Sequence, residues 1–180
     1  MANPFKRSRW FHKIVNHTIN PWFRLLPMPR GYAVITVTGR KTGRSRSLAV
    51  RAIPAGATLY VVAALGQKSD WLKNARKTPN VRAKLGSRTR RGVAREVSDA
   101  AESARARSLY VETTVPYDYV DYVSVQWGWP SNRSIRRAAE EWVNNGTMVA
   151  IDLEPGTERS SSEATPTVSR KAATRKGGPK

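Results

Sequence analysis

Four cations fall within eight residues in Gly39-Arg40-Lys41-Thr42-Gly43-Arg44-Ser45-Arg46, and the chemistry that this segment could do is to hold an anion. Two glycines allow the backbone to turn its amides toward a ligand, while guanidinium and ammonium groups beside them offer charge-assisted hydrogen bonds to phosphate or carboxylate oxygens. The spacing is not G-x-x-x-x-G-K-[ST], and no G-x-G-x-x-G follows a strand, so neither nucleotide fingerprint applies. Taken alone, the segment is equally well read as a solvated basic hairpin. Other chemistries are poorly provided for. The chain has no Cys, and its two His, His12 and His17, lie five apart near the start, which argues against a disulfide framework, a zinc site and a Ser-His-Asp triad. No metal site is expected.

Charge reinforces the first reading. The formal net charge is +19 on 180 residues, and twelve Lys and Arg precede the first acidic residue, Asp70. Such a molecule attracts polyanions over long range. A hydrophobic content of 39% suits one domain with unstructured ends. No apolar run approaches the roughly 18 residues of a spanning helix, and residues 1–30 lack the apolar core and small-residue cleavage pattern of a leader, so a cytoplasmic location is expected.

The elements that must position the basic segment follow from periodicity. Phe11, Ile14, Val15, Thr18, Ile19, Trp22 and Leu25 or Leu26 recur at three-and-four spacing within residues 5–26, with Lys6, Arg7, Arg9 and Lys13 clustered at the start. This predicts an amphipathic helix within an N-terminal unit, residues 1–30, broken near Pro21. Its basic and aromatic side chains suit either packing on its own domain or peripheral contact with an anionic membrane surface. From Gly31 the pattern turns to β-branched alternation, predicting strands over Tyr32 to Thr38, Ser47 to Ile53 and Thr58 to Leu65, with the basic segment as the loop between the first two. A short helix over 69–76, capped by Ser69, stops before Pro79. Strands return over Val81 to Leu85 and Arg88 to Val97, a helix follows from Ser98 or Asp99 to about Tyr110, another covers Ser134 to Val143, and a last strand covers Thr147 to Leu153. Short antiparallel strands with one inserted helix and later helices predict an α+β fold around a small barrel over residues 31–153, and residues 154–180 read as a disordered basic tail.

Three blocks taken in order carry a resemblance: Tyr32-Ala33-Val34-Ile35-Thr36-Val37-Thr38 running into the basic loop, then Leu59-Tyr60-Val61-Val62-Ala63-Ala64-Leu65-Gly66, then Asp70-Trp71-Leu72-Lys73-Asn74 ahead of Pro79-Asn80-Val81. Together they resemble the deazaflavin-dependent nitroreductase and quinone reductase family over about residues 20–98. The resemblance implies a split β-barrel of the FMN-binding type. It also implies binding of the 8-hydroxy-5-deazaflavin coenzyme F420 and hydride transfer from its reduced form to a quinone or nitroaromatic acceptor. Carried over by motif, it places Arg40, Lys41, Thr42, Arg44 and Arg46 around the coenzyme's phosphate and glutamate tail. It sets Ala64, Leu65 and Gly66 under the ring, Lys68 within reach of a phosphate or ring oxygen, and Asn74 close to the coenzyme, with Trp71 mostly structural. Tyr119 and Tyr122 reproduce a Tyr-x-x-Tyr that lines the acceptor pocket, and are the candidate catalytic residues. One helical turn would put both rings on one face, a spacing that equally suits packing tyrosines.

Two rivals remain at this stage. A pI near 11.2 and six Trp fit a nucleic-acid-binding module, whose basic face would include Arg82, Lys84, Arg88, Arg90, Arg91 and Arg95; these, however, alternate with Val81, Ala83, Leu85 and Val93 as in any half-buried hairpin, so no specific nucleic acid is expected. Alternatively, the same barrel could bind F420, FMN or another ligand without reductase activity. The cluster of cations favours a coenzyme with a long anionic tail over FMN, whose single phosphate needs fewer.

Overall fold

The computed structural model describes residues 27–126 and 129–155; the predicted amphipathic helix over 5–26 and the tail beyond 155 lie outside the described residues. Six strands, β1 (Tyr32–Thr38), β2 (Ser45–Ala55), β3 (Thr58–Ala63), β4 (Asn80–Leu85), β5 (Arg88–Glu96) and β6 (Thr147–Leu153), close into an antiparallel barrel in the order β1-β2-β3-β6-β5-β4. Four α-helices decorate it: α1 (Asp70–Lys77), α2 (Ala100–Glu112), α3 (Pro116–Gln126) and α4 (Asn132–Asn145). The expected α+β split-barrel class therefore holds for these residues. Among them, no helix is long and apolar enough to cross a membrane.

Strand alternation builds two cores. Ala33, Ile35 and Val37 of β1 point inward with Leu59, Val61, Val149 and Ile151, and Leu72 and Ala75 of α1 join the same cluster. The barrel interior is thus filled by side chains, as small barrels require, and ligands are left to its outside and its rims. On the outer face, Ile53, Tyr60, Val62 and Met148 are covered by Ala106 and Tyr110 of α2 and by Ala139 and Val143 of α4. Tyr32 and Val34 lie beneath Met28, Val115 and Tyr117. Strands covered on both faces explain why β1 and β3 read as nearly continuous apolar runs rather than strict alternation.

Boundaries differ from the sequence reading in places with a physical cause. β2 extends over both ends of the predicted strand because its register with β1 continues to Thr38↔Ser45 at the base of the basic loop, and its pairing with β3 runs on to Ala55↔Thr58. β3 stops at Ala63, and Gly66–Lys68 form a single 3-10 turn. Gly66 has φ +50°, a conformation costly for a residue with a Cβ, and this turns the chain into α1. Ser69 occupies the N-cap position of α1 without making a side-chain cap bond. Asp99 caps α2 by accepting from the Glu102 amide at 2.7 Å, and Ser131 with Ser134 forms a reciprocal capping box on α4.

Candidate coenzyme site on the barrel rim

The basic segment becomes a tight turn at one end of β1 and β2. Its backbone closes through Gly39 N–H to the Arg44 carbonyl at 2.8 Å and Gly43 N–H to the Gly39 carbonyl at 2.8 Å. Gly43 has φ +67°, and a Cβ there would meet open space, so the glycine is needed for its backbone conformation and not for close packing. Among the described residues, the amides of Lys41 and Thr42 have no acceptor within the protein, leaving them available to a ligand. Lys41, Thr42, Arg44 and Arg46 are all exposed, and the three cations have no carboxylate partner among the described residues. Arg46 stands opposite Val37 at the barrel rim.

Arg40 behaves differently from its neighbours. Its amide and its Nη1 donate to Oδ1 of Asn74 at 3.1 and 3.0 Å, its Nη2 donates to Asp70 Oδ1 at 2.9 Å, and its carbonyl accepts from Lys77 Nζ at 3.1 Å. Asn74 is buried, so its oxygen is a fixed anchor. Two residues assigned by resemblance to the coenzyme thus bond each other, and what these contacts do is lock the turn to α1. The segment Ala64, Leu65, Gly66 and Lys68 leads directly into that helix. Leu65 and Lys68 are exposed, Ala64 is half-buried and Gly66 is buried against the end of α4, where Asn145 O lies 3.5 Å from the position of its missing Cβ. Gln67 accepts from Arg76, which also binds Glu96 at 2.6 Å, and this ties the 3-10 turn to β5. Burial opposes the effect, yet the Arg76 hydrogen bond holds the Glu96 carboxyl below its ordinary range.

Tyr119 and Tyr122 lie elsewhere. Both are on α3, whose full length was not legible from the Tyr-x-x-Tyr spacing alone. The Tyr119 hydroxyl donates to Asn132, and Tyr122 borders an open cleft of about 370 Å³ with Ser131, Arg133, Ser134, Arg137 and Glu141. Helix α3 is anchored at the Tyr32 end of β1, whereas the basic turn follows Thr38; six residues of strand put the two about 20 Å apart. Through α4 the separation from the 64–68 segment is shorter, since Tyr122 faces Ala138 while Asn145 abuts Gly66, a rise of about 10 Å.

The anchor of α3 was missed in the sequence. Arg51, on the outer face of β2, donates through Nε to Asp118 Oδ1 at 2.9 Å and through Nη1 to the Tyr110 carbonyl at 2.7 Å; it also reaches the Thr113 carbonyl, and its guanidinium sits 4.4 Å from the Tyr110 ring centre. It therefore satisfies carbonyls at the end of α2 while holding the first turn of α3. Tyr32 Oη donates to Asp118 Oδ1 at 2.9 Å, and Asp118 Oδ2 accepts from the Val115 amide at 2.9 Å. Burial, followed by the charges of Asp121 and Asp118, pushes the Tyr32 hydroxyl well above its ordinary pKa. Nearby Asp121 is raised to about 6, first by burial and then by Asp118, with Tyr32 and Arg51 opposing. The crevice beside this cluster holds about 20 Å³, space for one water and not for a coenzyme. An arginine within Leu48-Ala49-Val50-Arg51-Ala52-Ile53 was the available signal, because a cation in an apolar strand demands a buried partner.

Among the described residues, no group of three His, Asp or Glu could hold a metal ion. Solved structures of similar shape include an F420-H2 dependent reductase, 19% identical over 69% of this chain and 96% of that one, with a TM-score of 0.47. Another, described as a domain-swapped dimer, is 18% identical over 83% and 99% with a TM-score of 0.48. A heme storage protein from Vibrio cholerae is 12% identical over 76% and 90% with a TM-score of 0.45. No curated protein matches the sequence. The sequence profile of the F420H(2)-dependent quinone reductase family matches residues 7–126, most of the chain and all of the barrel but β6, and on that match this protein belongs to the F420H(2)-dependent quinone reductase family.

Proposed function

We propose that this protein binds F420 on the Gly39–Arg46 turn and passes a hydride from its reduced form to a quinone or nitroaromatic acceptor. The observation that carries the reading is the turn itself: exposed Lys41, Arg44 and Arg46, which among the described residues have no carboxylate partner, amides of Lys41 and Thr42 with no acceptor among those residues, and a backbone held in place by Arg40 and Asn74. A site organised in this way binds an anion without first having to order itself. The bound coenzyme supplies the hydride chemistry.

The chain's own residues then bind, orient and shield. Lys41, Thr42, Arg44 and Arg46 hold the phosphate end, with Arg40 and Asn74 as positioning residues. Ala64, Leu65 and Gly66 offer backbone groups and an exposed leucine to the ring, and Lys68 offers its ammonium to a ring or phosphate oxygen. Tyr119 and Tyr122 line the acceptor side, where a phenolic O–H would stabilise negative charge as the acceptor is reduced. This last assignment requires an extended coenzyme, given the separation of the tyrosines from the turn.

The test is titration of the purified protein against oxidised F420 and against FMN, followed by fluorescence quenching. Tight binding of F420, weak binding of FMN and consumption of reduced coenzyme on adding a quinone would support the reading. Saturable binding of FMN alone would transfer the site to a flavin, and F420 binding without turnover on any acceptor would leave a binding protein.

A further inference from the structure

Helix α4 lies beyond residue 126, outside the stretch on which family membership rests, and it forms one wall of the cleft that Tyr122 borders. Ser134, Ala138, Glu141 and Asn145 recur at four, three and four residues, so they share one flank of the helix. The cleft, about 370 Å³, is lined along that flank by Ser134, Ala138 and Glu141, with the exposed Arg133 and Arg137 on the adjoining outward side and Tyr122 contributed by α3. The same flank ends at Asn145, whose carbonyl abuts Gly66, so the cleft leads along α4 toward the segment that the proposed function sets under the ring. From Arg137 to Asn145 is about 12 Å of helix.

The two arginines differ from their neighbours on the helix. Arg133 is the second residue of α4, where the helix dipole disfavours a positive charge, and no acidic residue occupies that turn to offset it. Among the described residues Arg133 has no carboxylate partner, whereas Arg136, which does not line the cleft, has Glu112 and Glu140. Arg137 approaches Glu141 only at 3.8 Å, with both side chains exposed, a contact worth little. Glu141, the one anionic residue lining the cleft, stands toward the Gly66 end and the arginines toward the other. Ser131 and Ser134 spend their hydroxyls on the capping box, and Tyr119 spends its own on Asn132, so Tyr122 keeps the phenol of α3 that has no hydrogen-bond partner among the described residues at this cleft.

We propose that α4 selects the acceptor, and that the preferred acceptor carries a carboxylate on its reducible ring system, with the carboxylate held by Arg133 and Arg137 and the ring directed past Tyr122 toward Gly66; this rests on the function proposed above. Guanidinium groups match a carboxylate in geometry as well as charge. A cation placed against the helix dipole is a local cost that an anionic ligand removes. Of the described residues lining the cleft, only Ala138 and the Tyr122 ring offer apolar surface, which disfavours an acceptor anchored there by a long hydrocarbon chain.

The experiment follows oxidation of reduced F420 by two acceptors that share one ring, a naphthoquinone bearing a carboxyethyl side chain and the methyl ester of the same compound. The proteins are the full chain and its Arg133→Gln/Arg137→Gln and Arg133→Glu variants. The unaltered protein should show a KM for the acid about fivefold below that for the ester at low salt, and the gap should close as salt is added, because the arginines are exposed. Arg133→Gln/Arg137→Gln should raise the KM of the acid to that of the ester. Arg133→Glu should favour the ester, a reversal that damage to the fold would not produce, and its thermal midpoint should not fall, since an acidic side chain suits the first turn of a helix. Oxidised F420 should bind all three proteins equally, which separates this cleft from the Gly39–Arg46 turn. Equal KM for acid and ester in the unaltered protein, or a preference for the acid that survives the substitutions, overturns the proposal and leaves the reductase reading standing. Oxidation of reduced F420 by neither quinone overturns both.

Discussion

Arg51 and Asp118 form an ion pair 2.9 Å long in which the side chains are only 4% and 3% exposed, joining β2 to α3 across 67 residues of sequence. Removing one partner strands a buried charge, which costs far more than the pair gains over an apolar replacement. Arg51→Met should therefore destabilise the fold by about 3–5 kcal/mol, read as a lower denaturation midpoint. The basic turn, at the other end of β1, should keep whatever affinity it has for F420 in the fraction that remains folded.

Asp121 predicts the pH dependence. Its carboxyl titrates near 3.8 when unperturbed and near 6 in the folded protein, so between those values the native state holds a proton that the unfolded chain releases. The resulting stability is fully present at low pH and is lost as pH rises through about 6. Asp121→Asn stays neutral throughout, so its melting temperature should exceed that of the unaltered protein by an amount that grows from about pH 4 to about pH 6 and levels off above it. A constant difference across that range would refute the assignment.

The exposed cations of the turn should be sensitive to salt. Arg44→Ala with Arg46→Ala should weaken coenzyme binding more at low than at high ionic strength, because exposed charges are screened beyond a Debye length of about 10 Å at 0.1 M. An equal loss at both would indicate damage to the fold.

Asn74 accepts from Arg40 and is placed to act through it. Asn74→Ala removes the acceptor of both the Arg40 amide and its guanidinium, and should cost about 1–3 kcal/mol of stability together with a loss of coenzyme affinity. Asn74→Asp retains an acceptor oxygen and should restore both, a rescue expected of a positioning role and not of direct contact through the amide nitrogen.

Tyr122→Phe separates chemistry from binding. Turnover should fall roughly 10- to 100-fold with the coenzyme dissociation constant little changed. If binding is lost instead, Tyr122 holds the coenzyme or the fold and does not serve the acceptor.

What could be read from the sequence were the features encoded locally. The β-branched, apolar run of Tyr32 to Thr38, the Gly86-Ser87 connection and the Pro79 stop located strands and α1 within a few residues, because each depends on its own backbone preferences. The barrel's closure by β1 and β4, and the insertion of β6 between β3 and β5, depend on contacts far apart in sequence and left no local mark. The site divides in the same way. Lys41, Arg44 and Arg46 were visible as a cluster, whereas the engagement of Arg40 with Asn74 and the role of Arg51 as the anchor of α3 appear only once β1, α1, β2 and α3 are brought together.

The position of β6 also constrains how the chain can be made. Until residues 147–153 have left the ribosome, the nascent sheet can only be β3-β2-β1-β4-β5, a ribbon with two bare margins whose apolar inner surface has nothing to close over it. Folding must then wait for nearly the whole domain to be synthesised, and chaperones that shield unpaired strands would find this intermediate a natural client.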